Sequence, residues 1–99
     1  MKLVQISAPA SEELQEAVRW FEERHPGWGA RLFDAVSHTF DLLSAHPEIG
    51  EARRGQPPSR RLRVIGFPYY VAYRVREHDI YIVAVAHTSR RPGYWKNRR

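Results

Sequence analysis

The sequence predicts an α+β fold in which a helical hairpin packs on one face of a twisted, mainly antiparallel sheet. Two helical stripes of apolar residues follow a short strand-like segment at residues 2–7, and three further strand-like segments follow residue 59. A helix buries one stripe and a half-buried sheet buries one face, so the two layers can cover each other. The expected element order is therefore β-α-α-β-β-β.

The first half of the chain predicts one strand and two helices. Residues 2–7 alternate as a strand does, and Ser7 can cap a helix whose first turn tolerates Pro9. The second helix is expected at roughly 28–45, and His-Pro pairs end both helices because the residue before proline avoids the helical conformation. Apolar residues recur every three or four positions: Leu14, Ala17, Val18 and Phe21, then Leu32, Val36, Phe40 and Leu43.

The second half predicts a loop, three strands and a tail. Residues 47–59 contain three prolines and two glycines, which favours a loop. Segments 60–66, 69–76 and 80–87 are strand-like, and their short links predict antiparallel hairpins. The last segment is apolar on both faces, as in a central strand. We expect one helical turn after Pro92 and this core: Leu14, Val18, Phe21, Val36, Phe40, Leu43, Val71, Tyr73 and Ile82.

Composition limits the classes of function. Ninety-nine residues predict one domain, over residues 1–99, and the absence of cysteine excludes disulfides and thiol nucleophiles. No secretory or membrane-spanning segment is recognisable, so we expect a cytoplasmic protein.

The two halves of the chain differ in charge. Residues 1–50 carry a net charge of −4 and residues 51–99 a net charge of +9. This asymmetry indicates that one side of the protein binds an anionic partner.

Arginines on the predicted strands are the strongest candidates for binding. Arg74 and Arg76 share a strand face with Tyr70, and Arg61 and Arg63 lie on the neighbouring strand. If the helices cover the opposite face, these guanidinium groups are open to phosphates of RNA or DNA, or to an acidic peptide. An ordinary solvated sheet face is the alternative.

The histidines and the aromatic tail give weaker signals. No two of the five histidines have the spacing of a helical metal site, so we expect no metal and no cofactor. His87 could act as a general acid or base, although a histidine there more often hydrogen-bonds the following turn. We expect Tyr94 and Trp95 to fold back over the strand ends rather than to stack on a ligand.

Several motifs, in their order and spacing, resemble toxins of the RelE/ParE superfamily of bacterial type II toxin–antitoxin modules. The resemblance spans Leu3 to Arg98 through EL.EA..WFEERHPGWG, AHPEIG, RRLRVIGFPYYVAYRV and IVAVAHTSRRPGYWKNR. Its most specific pieces are Phe67-Pro68-Tyr69 with Tyr73-Arg74, and His87 with Arg91-Pro92 and Tyr94-Trp95. The resemblance implies a toxin that is held inactive by a short antitoxin, whose C-terminal segment wraps around it.

Superfamily members differ in their target. ParE-like members poison DNA gyrase and have no assigned catalytic residues. RelE-like members are metal-independent endoribonucleases that cut messenger RNA in the ribosome, using basic residues and a C-terminal tyrosine. The spacing from His87 to Tyr94 resembles the RelE-type tyrosine, but two arginines of the ribonuclease branch align with Tyr70 and Thr88. The loss of two phosphate-binding cations would weaken transition-state stabilisation, so the ParE-like branch is favoured.

The candidate site residues follow from these alternatives. In the ribonuclease interpretation, catalysis would fall to Arg74, His87, Arg90 and Tyr94. A toxin that acts by protein contact has no catalytic residue, and a homologue that has lost toxicity and serves as a binding or regulatory partner is the third possibility. The candidates for antitoxin or target binding are Arg61, Arg63, Tyr70, Arg74, Arg76, Arg90, Arg91, Tyr94 and Trp95.

Overall fold

The computed structural model describes residues 1–99, and its elements follow the predicted order with one additional strand. They are β1 (Leu3–Ile6), α1 (Ala8–Arg24), α2 (Trp28–Ala45), β2 (Glu51–Arg53), β3 (Ser59–Arg63), β4 (Tyr69–Val75) and β5 (Asp79–His87). The prediction of a loop over 47–59 is wrong for β2, which pairs antiparallel with β3. A segment of three residues is too short to show the apolar–polar alternation of a strand. Its extended conformation comes from the pairing with β3.

The five strands form one sheet in the order β1-β5-β4-β3-β2. Only β1 runs parallel to its neighbour, and it pairs with residues 79–82 of β5. The other neighbours are antiparallel, with a bulge between Ala72 and Tyr73 of β4. Because β1 ends at Ile6, the second half of β5 has no strand neighbour on that side.

Local sequence signals set the ends of the helices. The Ser7 side chain accepts a hydrogen bond from the backbone N–H of Ala10, as predicted for an N-cap. Gly27 adopts the left-handed conformation, and the Glu22 carboxylate accepts hydrogen bonds from Gly27 and Gly29 at the start of α2. A Cβ on Gly29 would lie 2.7 Å from the Val18 carbonyl, so a glycine lets the two helices approach. Neither helix is long and apolar enough to cross a membrane.

Both helices pack on one face of the sheet, as the sequence predicts. The apolar cluster there combines stripe residues of α1 and α2 with alternate residues of β4 and β5. Of the nine predicted core residues, Val18, Phe21 and Phe40 are only partly buried but pack against the cluster. The other six are buried: Leu14, Val36, Leu43, Val71, Tyr73 and Ile82.

The C-terminal tail, residues 92–99, covers the opposite face of β4 and β5. Trp95 is 2% exposed and packs in a second cluster that contains the small residues Ala72, Ala84 and Ala86. Its indole N–H donates to the Tyr70 hydroxyl at 2.9 Å. The tail contains successive turns rather than the predicted helical turn. The expectation that this sheet face is open is therefore wrong for β4 and β5.

The carboxylate of Glu13 fastens the tail to the rest of the fold. One oxygen accepts the backbone N–H of Val85 at 3.1 Å, on the side of β5 that β1 leaves unpaired. Arg98 donates to both oxygens at 2.9 and 3.1 Å, and the Tyr94 hydroxyl also donates to this carboxylate. One side chain of α1 thus links the sheet edge to two residues of the tail. We call this group the Glu13 clasp.

Truncation of α2 side chains should reduce stability in proportion to their burial. Leu43 is fully buried, so Leu43→Ala should lower the free energy of unfolding by about 2–5 kcal/mol. Phe33 is 51% exposed, and Phe33→Ala should change it by less than about 0.5 kcal/mol. Phe40 is partly buried, so Phe40→Ala should lower the free energy of unfolding by an amount between these two. Urea unfolding followed by tryptophan fluorescence measures this order, and a larger loss at Phe33 than at Leu43 would contradict the packing.

Removal of the Glu13 clasp should loosen the tail. The Glu13 side chain is 14% exposed, so Glu13→Ala should cost about 2 kcal/mol, less than the loss of a fully buried ion pair. Amide hydrogen exchange of residues 92–99 should accelerate more than exchange in α2. Glu16→Ala, one helical turn later and exposed, is the control. Equal tail exchange in the two variants would show that Glu13 does not hold the tail.

Candidate functional site

A basic groove lies between β3 and residues 88–92, the segment that leads from β5 into the C-terminal tail. Its volume is about 480 Å³. By strand register, Arg61 lies opposite Ala72 and Arg63 opposite Tyr70, so both arginines share the sheet face on which the tail lies. Arg90 lines the groove from the segment after β5. The remaining lining residues are Glu51, Leu62, Tyr70, Thr88 and Pro92.

The groove has a positive lining and a fixed floor. Arg61 donates to Glu51 at 3.2 Å and lies 5.6 Å from the centre of the Tyr70 ring. Tyr70 is held from beneath by its hydrogen bond with Trp95. Three arginines face a single glutamate, whose side chain is 68% exposed. The arrangement is suited to anionic groups, since guanidinium binds carboxylates and phosphates in bidentate geometry.

An apolar groove of about 550 Å³ lies between α1 and the end of the sheet. Trp20, which is 49% exposed, forms part of its wall, and Arg90 borders this groove as well as the basic groove. Besides Trp20 and Arg90, it is lined by Glu13, Glu16, Ala17, Phe21, Pro68, Tyr69, Val85, His87 and Tyr94. An apolar wall with few charged groups is typical of a binding site for another molecule.

His87 contacts the turn that follows it. Its Nδ1 accepts the backbone N–H of Ser89 at 3.0 Å and lies 2.7 Å from the Ser89 hydroxyl. The ring packs edge-on against Tyr69, with ring centres 5.0 Å apart. This geometry matches the structural role that the sequence favoured for this histidine.

The Tyr94 hydroxyl is engaged by the Glu13 clasp. Burial raises the pKa of Tyr94 well above its ordinary value of 10.0, and the hydrogen bond to the Glu13 carboxylate raises the pKa further. The Arg90 guanidinium lies 3.9 Å from the centre of the Tyr94 ring. The hydroxyl donates its proton to a hydrogen bond with Glu13, and this arrangement does not suit a general base.

Two predicted arginines lie outside both grooves. Arg74 is 8% exposed beneath the tail; it donates to the Lys96 carbonyl at 3.4 Å, and its Nε has no hydrogen-bond partner. Arg76 donates to both carboxylate oxygens of Asp79 at 2.6 and 2.7 Å, and this contact holds the pKa of Asp79 below its usual value. The row of four open guanidinium groups expected from the sequence is thus divided by the tail and by this ion pair.

The structure therefore brings together only part of the candidate set. Arg61, Arg63, Tyr70 and Arg90 line the basic groove, and Tyr94 lines the apolar groove. Arg91 is exposed at the start of the tail, and Trp95 is folded back as expected.

Sequence reasoning missed Glu13 and Trp20. Glu13 directly precedes the buried Leu14, and its partners lie 72–85 positions away in the chain. Its position beside the apolar stripe is the one local signal of its role. Trp20 also borders that stripe, and a large aromatic residue there could have indicated a binding surface.

Comparison with known proteins gives the family. Residues 4–92 match the family described as ParE toxin of type II toxin-antitoxin system, parDE. A solved structure titled "Chromosomal ParDE TA system from P. aeruginosa" has the same fold, with a TM-score of 0.75 at 17% identity, covering 88% of this chain and 96% of that chain. Among curated proteins, none shows significant sequence similarity to the chain. The chain belongs to the ParE toxin family of type II toxin–antitoxin systems.

Proposed function

We propose that this chain is a toxin that inhibits DNA gyrase by protein contact and is neutralised by a cognate antitoxin. Membership of the ParE family supports the protein-contact branch over the ribonuclease branch. The single structural observation that carries the proposal is the engagement of the Tyr94 hydroxyl by Glu13. A tyrosine committed to a structural hydrogen bond is a poor candidate for proton transfer to a bound RNA.

The surface proposed to contact the target consists of Arg90, Arg91 and Tyr94. The Arg90 side chain is 55% exposed and stacks on the Tyr94 ring, and Arg91 is exposed beside it. Arginine and aromatic side chains dominate the binding energy of many protein interfaces. Trp95 is 2% exposed, so its role is to hold the tail beneath this surface rather than to contact the target.

The basic groove is the proposed site for an acidic segment of the antitoxin. The groove offers Arg61, Arg63 and Arg90, and a net positive lining complements carboxylates. Arg74 lies under the tail and Arg76 is bonded to Asp79, so we leave both out of this site. Covering of Arg90 by the antitoxin would also mask the target surface, which gives a physical basis for neutralisation.

Toxicity should survive loss of the Tyr94 hydroxyl but not loss of its ring. Tyr94→Phe keeps the aromatic contact, so growth arrest, DNA breaks and inhibition of gyrase supercoiling should persist. Tyr94→Ala should abolish them, because an interface anchor contributes about 2–4 kcal/mol. Induction of each variant in cells, with measurement of DNA damage and messenger RNA integrity, provides the test.

Trp95→Phe is a matched control for the loss of a hydrogen bond by the tail. It removes the bond from Trp95 to Tyr70 but retains an aromatic ring beneath the tail. Circular dichroism verifies that each variant is folded. Loss of toxicity in a folded Tyr94→Phe, with cleavage of messenger RNA by the unchanged chain, would replace this proposal with the ribonuclease alternative.

Stability should fall at alkaline pH in a way that depends on Tyr94. Its pKa is raised in the folded state, so the unfolded chain loses the proton first as the pH rises above the ordinary value of 10.0. The stabilisation is therefore complete below about pH 10 and declines above it. Urea unfolding between about pH 8 and pH 11 should show a steep loss for the unchanged chain and a smaller loss for Tyr94→Phe. Identical pH profiles would contradict the buried, hydrogen-bonded state of the hydroxyl.

A further inference from the structure

We propose that the basic groove also binds the phosphate backbone of duplex DNA. This inference rests on the proposed function, because gyrase acts on duplex DNA and a toxin bound to it lies close to that DNA. It goes beyond protein contact, since it assigns the arginines of the groove to a second, non-protein ligand. An antitoxin segment in the same groove would then compete with DNA for the same guanidinium groups.

The charges of the groove are only partly neutralised within the protein. Arg63 is exposed and has no carboxylate within 4.0 Å, and Arg90, which is 55% exposed, has one long salt bridge to Glu13 at 3.8 Å. Arg61 has a partner in Glu51, but that glutamate is largely exposed, so its pairing is weak and replaceable. Arg63 is therefore fully available to an external anion, whereas Arg61 and Arg90 must give up an exposed or a long pairing to bind one.

The spacing of these groups favours a chain of anions over a single one. Arg61 and Arg63 lie two residues apart on one face of β3, about 6.8 Å along the strand. This distance is close to the separation of consecutive phosphates along one DNA strand. Strand register places Arg53 of β2, opposite Ser59, on the same face, and Arg90 lies across the groove. Residues 51–99 carry a net charge of +9, so the potential extends well beyond the groove.

The floor of the groove favours duplex DNA over a single strand. Proteins that bind single strands usually stack bases on exposed aromatic rings. Tyr70 is the aromatic residue of this groove, but it is 8% exposed and its hydroxyl is bonded to Trp95. A groove that has guanidinium groups but no exposed aromatic ring suits the phosphate backbone, whose recognition requires no contact with bases.

Fluorescence anisotropy of a short labelled duplex of arbitrary sequence, titrated with the purified toxin, tests the inference. Affinity should fall steeply with salt between about 50 and 200 mM. Arg63→Gln should weaken binding by about tenfold and reduce the slope of log affinity against log salt by about one. Arg19→Gln makes the same change of charge on the exposed side of α1, and should leave the slope unchanged.

Three outcomes of the anisotropy titrations would overturn the inference. They are no binding at low salt, equal effects of Arg63→Gln and Arg19→Gln, and tighter binding of a single-stranded RNA of equal length. An Arg63→Gln variant that loses the antitoxin but binds the duplex normally would also overturn it, because the groove would then serve the protein partner alone.

Inhibition of gyrase supercoiling, measured on the same samples, separates the two proposals. Inhibition of gyrase without any DNA binding by the free toxin would contradict only the DNA inference. DNA binding through Arg63 without inhibition of gyrase would contradict the proposed function and leave the groove assignment intact.

Discussion

The tertiary structure depends on one carboxylate at the boundary of helix and sheet. β1 is too short to cover β5 beyond residue 82, so backbone groups there lack a strand partner. The Glu13 carboxylate accepts hydrogen bonds from the backbone N–H of Val85 and from the side chains of Arg98 and Tyr94. An unpaired buried amide is costly, so this acceptor also stabilises the strand edge. The same carboxylate fixes the tail, whose Trp95 in turn holds Tyr70 in the floor of the basic groove.

The tail explains why the central strands are apolar on both faces. The helices cover one face, and Trp95 covers the other over Ala72, Ala84 and Ala86. Small side chains at these positions leave room for the indole ring against the sheet. Burial of this face also encloses Arg74, whose Nε has no hydrogen-bond partner. That unpaired Nε–H offsets part of the stability gained from the apolar contacts.

Arg90 connects the two grooves physically. It lines both, stacks on Tyr94 and lies 3.8 Å from the Glu13 carboxylate. A ligand that draws Arg90 toward the basic groove would remove a cation from the rim of the apolar groove and from Tyr94. The proposed target surface and the proposed antitoxin site are therefore adjacent parts of one surface, and occupation of either would change the charge presented by the other.

The sequence by itself determined the elements, because their signals are local. Alternation and apolar periodicity defined both helices and four of the five strands, proline ended the helices, and Ser7 marked the start of α1. Motif order indicated the superfamily, and charge distribution identified the basic half. Only the tertiary structure decided which arginines are open, since Arg74 is enclosed by a tail more than twenty positions away and Arg76 is neutralised by Asp79. The Glu13 clasp likewise depends on contacts between residues far apart in sequence, and such contacts leave no periodic pattern in the chain. The strand β2 escaped prediction because its three residues are too few to show an alternation.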